Sequence, residues 1–66
     1  MDANEARKRS EIGAIKAIEQ LIEEAADRGF RSLDLSDYDV YDSFNDTVIA
    51  HFKEQGYKIV NSYINW

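Results

Sequence analysis

Tyr57–Trp66, YKIVNSYINW, is the stretch on which the fold turns. Read as one extended run, it puts Tyr57, Ile59 and Tyr63 on one face and Val60, Ile64 and Trp66 on the other. A strand with apolar groups on both faces expects cover on both. The segment before it reads as a helix from Asp42 or Ser43 to Gln55, with Phe44, Val48 and Phe52 as a ridge at i, i+4 and i+8, flanked by Ile49. Asp42 and Asp46 suit the positive end of that helix and Lys53 its negative end. Gly56-Tyr57 supplies a left-handed stop followed by an apolar residue.

Upstream, Arg31–Leu35 alternates at period two and reads as a short strand with Leu33 and Leu35 on one face. Ser36–Tyr41 reads as loop, rich in side chains that compete for backbone hydrogen bonds. A long first helix covers about residues 3–28. Its stripe is Ile12, Ile15, Ile18, Ile22 and Ala25, widened by Ala14 and Leu21. Asp2 and Glu5 have capping-box spacing, and Gly29-Phe30 repeats the Gly-aromatic stop. Arg7-Lys8-Arg9 sits near the positive end of the helix dipole, so a loose first turn is expected there.

The expectation is a single α+β domain over residues 1–66, in helix–strand–helix–strand order with strands at 31–35 and 57–65. A strand–helix–strand connection favours a parallel pair with a right-handed crossover. Two strands make a poor sheet and leave both edges open. Self-association through a strand edge or the Ile-rich helix would complete it, so a homodimer or higher homo-oligomer is expected. Size points the same way. Chains of 66 residues usually need a staple. The absence of Cys excludes disulfides and thiolate metal sites, which leaves a partner chain.

These features resemble a loose class of very small phage-encoded proteins. The matching residues are Ala25-Ala26 with Gly29, Val48-Ile49, Phe52, Gly56-Tyr57-Lys58-Ile59 and Trp66, over about residues 12–66. The resemblance implies the helix–strand–helix–strand fold and a phage origin. It carries no functional residues across.

Charge gives the other strong signal. Thirteen acidic and eight basic residues leave a net charge of −5. Ser32–His51 holds five Asp and no Lys or Arg, so the rest of the chain is neutral. Within it, Asp34, Asp37, Asp39, Asp42 and Asp46 alternate with Tyr38, Tyr41 and Phe44. A row of carboxylates with aromatic groups between them can imitate a phosphate backbone and occupy a basic DNA-binding surface. Asp34, Asp37, Tyr38, Asp39, Tyr41, Asp42 and Asp46 are therefore the candidate partner-binding residues. The competing reading gives the Asp residues only capping, turn and solubility roles.

Other chemistries find little support. A calcium loop starting at Asp37 would need an oxygen ligand at Tyr41, Gly at Asp42 and Glu at Val48, and all three fail. His51 is the lone histidine and reads as a residue at the core margin. No Ser-His-Asp grouping with a supporting motif and no Gly-rich phosphate loop occurs, so no catalytic, metal or cofactor residue is assigned and an enzyme is not expected. Direct nucleic-acid binding needs a concentrated basic face, and Arg7-Lys8-Arg9 is diluted by Glu5 and Glu11. The 44% apolar and 32% charged shares suit a folded protein. No apolar run spans a bilayer, and MDANEARKRS lacks a signal-peptide core. The expectation is a cytoplasmic acidic protein that engages and inhibits a basic host protein. The alternative is an assembly module acting only through homo-oligomerisation.

Overall fold

The computed structural model describes all 66 residues. Helix α1 spans Ala3–Asp27 and α2 Asp46–Glu54. Strands β1 (Ser32–Asp34), β2 (Lys58–Val60) and β3 (Tyr63–Asn65) form one antiparallel sheet in the order β1-β3-β2. Two 3₁₀ turns, Leu35–Asp37 and Asp39–Ser43, join β1 to α2. The α+β class holds. The parallel two-stranded sheet does not, and the reason lies in two residues.

Asn61-Ser62 folds the expected final strand into a hairpin, with Val60 opposite Tyr63. Asn61 takes φ 53°, a left-handed conformation that Asn tolerates better than most residues. The turn changes which residues share a face. Ile59 and Ile64 would oppose each other across a straight strand, yet the hairpin makes them cross-strand partners. Leu33 lies opposite Ile64 on the other side, giving one inner row of Leu33, Ile64 and Ile59. Both helices pack on that face. Val60 and Tyr63 fall on the outer face and are exposed. One covered face suffices, as antiparallel sheets allow. The third strand also removes the unfinished sheet that made self-association through a strand edge necessary, and the remaining edges are only three residues long.

Helix ends follow local rules closely. Asp2 Oδ1 accepts from Glu5 N at 2.8 Å. Glu5 does not complete the reciprocal half of a capping box; its carboxylate meets Arg9 at 3.2 Å. At the other end, Phe30 N donates to Ala25 O and Gly29 N to Ala26 O, both at 2.9 Å, with Gly29 at φ 88°. This is a Schellman motif. Tyr57, Gly56, Phe52 and Lys53 repeat it after α2, with Gly56 at φ 95°. The start of α2 differs from the expected Asp42 or Ser43. Asn45 is the cap, its Oδ1 accepting from Val48 N at 3.1 Å. Phe44, with ψ 71°, breaks the chain away from the preceding 3₁₀ turn. Phe44 therefore packs against the core from outside the helix.

The core is Ala14, Ile18 and Ile22 of α1, Leu35, Val48 and Phe52 of α2, and Ile64. Phe52, Ile18, Leu35, Ile64 and Val48 are fully buried. Phe52, Tyr57 and Trp66 stack edge-to-face at 5.6 and 6.3 Å. Leu35 opens the 3₁₀ turn beyond β1 and is fully buried, joining the core with Leu33 packed against it. Ile12, expected on the buried stripe, is 55% exposed. The reason is geometric. A 25-residue helix is about 37 Å long, and the body reaches only its second half. Every residue from Met1 to Ser10 is exposed. The molecule measures 41 × 19 × 18 Å, with a radius of gyration of 12.0 Å against roughly 11 Å for a compact chain of this length.

Candidate interaction surface

The seven residues singled out by charge fall into two groups. Asp34 is engaged inside the fold. Its Oδ1 accepts from Ser62 Oγ at 2.7 Å, Ser36 Oγ at 2.8 Å and Ser36 N at 3.0 Å. It thereby caps the first 3₁₀ turn and ties it to the hairpin, where Leu35 N also donates to Ser62 O. Hydrogen bonds that favour the ionised form, first from the Ser62 hydroxyl and then from Ser36, hold its carboxyl below the usual aspartate range.

A depressed folded-state pKa means that the ionised form stabilises the fold. That contribution is complete above the unfolded value, about 3.9 for Asp, and is lost as pH falls through the lower folded value. Asp34→Asn is therefore expected to flatten the decline in melting temperature below about pH 4. Thermal melts of both proteins across the acid range check this; parallel curves would contradict it.

Asp37, Asp39, Asp42 and Asp46 form the second group. They are exposed, and none of their carboxylates makes a side-chain hydrogen bond or ion pair. Asp46 lies in the first turn of α2, where the dipole favours it, yet the cap itself is Asn45. Asp39 and Asp42 lie within the second 3₁₀ turn, whose N-terminus has no side-chain cap. Tyr38 and Tyr41 stand among them, 42% and 40% exposed. Tyr41 leans on Phe44 with ring centroids 6.1 Å apart, which braces it. No three of these carboxylates converge on one point.

Two open grooves flank Tyr38 along α1. One, of about 240 Å³, runs from Leu21 and Ala25 across to Leu33 and Phe30, with Glu24, Asp34 and Asp37 on its rim and Arg28 as its one cation. The other, of about 290 Å³, lies between Ala17, Leu21 and Glu24 on the helix and Asp39 and Val40 on the loop. Glu24 adds its charge to both. Sequence reasoning did not associate it with the Asp row, because the two meet only when the loop folds back along α1.

His51 takes the margin position expected of it. It is half-buried, edge-on to Phe52 at 5.2 Å, and its Nε2 stands 3.8 Å from Glu19 Oε1, beyond hydrogen-bond reach. Neither a protein-family model, nor a curated protein, nor a solved structure matches the chain. No helix is long and apolar enough to cross a membrane.

Proposed function

We propose that this chain is a small acidic binding protein that engages the basic surface of a partner protein, of the kind that otherwise holds DNA, and blocks it. One observation carries the reading. Four consecutive aspartates of the central segment are exposed, with carboxylates that bond to nothing in their own chain, and half-exposed Tyr38 and Tyr41 stand between them, Tyr41 braced by Phe44. Capping and turn duties fall instead to Asp2, Asp34 and Asn45. Unpaired like charges close together oppose folding, whereas a cationic partner turns the same charges into attraction and fast association. Tyrosines at such a site add apolar contact with little loss of side-chain freedom. The resemblance to small phage-encoded proteins makes a host protein in the cytoplasm the expected target.

The test is displacement of labelled duplex DNA from a panel of basic DNA-binding domains at low and high salt. The chain should displace DNA from at least one domain at low salt and lose this ability as salt rises. Asp37→Asn/Asp39→Asn/Asp42→Asn should weaken displacement by about tenfold or more, three surface charges at about 0.5 kcal/mol each. Its melting temperature should equal or exceed that of the parent, since these carboxylates have no intramolecular partner. Equal displacement by both proteins, or by neither, would sink the proposal.

A second reading, an assembly module acting through self-association, is favoured by the long uncovered half of α1.

A further inference from the structure

One face of α1 borders the acidic loop. Ala17, Leu21 and Glu24 recur on it at helical spacing and line the groove beside Tyr38 and Asp39. Followed toward the N-terminus at 3.6 residues per turn, the same face presents Gly13, Ser10 and Ala6, with Arg9 and Lys16 along its border. Nothing covers this half. Ala6, Arg9, Ser10, Gly13 and Lys16 are all exposed, and a Cβ placed on Gly13 would meet no atom within 4 Å. The face is thus small and basic at one end and acidic at the other.

We propose that a second copy of the chain docks here, the two α1 helices running antiparallel across a two-fold axis between Lys16 and Ala17, which sets Arg9 of one helix opposite Glu24 of the other. This rests on the self-association reading and gives it a surface. A two-fold interface must be complementary to itself, one end of the patch matching the other. Antiparallel pairing does this: the basic half of each helix lies along the acidic half of the other. Arg9 and Lys16 of one copy approach Glu24 and Asp39 of the second. Arg9 is free to change partner, since its contact with Glu5 is an exposed surface pair of small value. Gly13 and Ala17 let the backbones come close at the crossing.

Two further observations favour this occupant. The chain exposes 4869 Å² where a compact protein of 7.6 kDa exposes roughly 4,300 Å². A helical arm of about ten residues, every one of them exposed, is marginal in water, and a partner helix supplies it with packing.

Sedimentation velocity at micromolar concentration and low salt tests the arrangement. The parent should be a dimer that dissociates as salt rises. Gly13→Leu, a better helix former with open space around it in the monomer, should keep the fold by circular dichroism. It should weaken the dimer at least about tenfold, the scale of an overpacked contact. Arg9→Glu/Lys16→Glu and Glu24→Lys/Asp39→Lys should each be monomeric alone and form a heterodimer when mixed. A monomeric parent would overturn this arrangement together with the self-association reading. A parent dimer indifferent to Gly13→Leu and to both charge reversals would overturn the arrangement and leave self-association standing. DNA displacement by a monomer would leave the inhibitor reading intact.

Discussion

Phe52→Ala is expected to leave the chain largely unfolded at 25 °C. Phe52 is fully buried at the centre of the core and meets both Tyr57 and His51 edge-on. Truncating such a ring costs about 3–5 kcal/mol in lost transfer energy and residual cavity. A domain of this length has roughly 3–10 kcal/mol of total stability, so the loss consumes most of it. Cavity collapse offers little relief, because the surrounding side chains belong to elements fixed by short sheet pairings and helix caps. Far-UV circular dichroism with a urea titration reads the outcome. A cooperative transition with a midpoint near that of the parent would show that the core lies elsewhere.

Ile64→Ala should cost about 2–5 kcal/mol, with an effect that spreads across the whole sheet. Ile64 is fully buried on the central strand and faces Leu33 on one side and Ile59 on the other. Removing its side chain opens a gap under both neighbours. Amide hydrogen exchange should therefore show lost protection in β1 and β2 together. Loss confined to one neighbouring strand would contradict the observed strand order.

That strand order is also where sequence reasoning went astray. Ile59 and Ile64 are an odd number of residues apart, which sends them to opposite faces of a straight strand. A two-residue turn between them restores them to the same face. Asn61-Ser62 was the available signal, a short polar pair flanked by apolar residues, but without Gly it is a weak hairpin cue. With a turn at Asn61-Ser62, one strand apolar on both faces becomes two strands whose Ile59 and Ile64 share one face. The start of α2 failed for a related reason. Asn45 is a good N-cap three residues before buried Val48, yet Asp42 and Ser43 are equally suited on propensity alone. Only the backbone break at Phe44 separates them.

Other features were legible because they depend on a few neighbouring residues. Gly29 and Gly56 each end a helix in the left-handed region, Asp2 caps α1, and Ile18, Ile22, Val48 and Phe52 are buried where helical spacing placed them. Of the interaction surface, the concentration of charge was legible and the division of labour within it was not. Asp34 bonds to Ser62, 28 residues away, and no local rule foretells that contact. Ile12 carries the complementary lesson. Helical spacing assigns a face, while burial depends on how far the rest of the chain extends along the helix.

The strand that occupies the middle of the sheet is the last of the three to be made. While a ribosome is still extending the chain, β1 has no hydrogen-bonding neighbour, because its partner Tyr63–Asn65 lies some thirty residues later. The first helix and first strand therefore cannot make their native sheet contacts until the last strand exists. At bacterial or eukaryotic elongation rates of about 5–20 residues per second, that interval lasts seconds. The hairpin and α2, joined by short-range contacts, can assemble among themselves as soon as they emerge, and β1 then adds to a surface already made. A chain lacking Tyr63–Asn65 would leave β1 and β2 each without its only sheet partner, so truncation before the last strand removes the whole sheet at once.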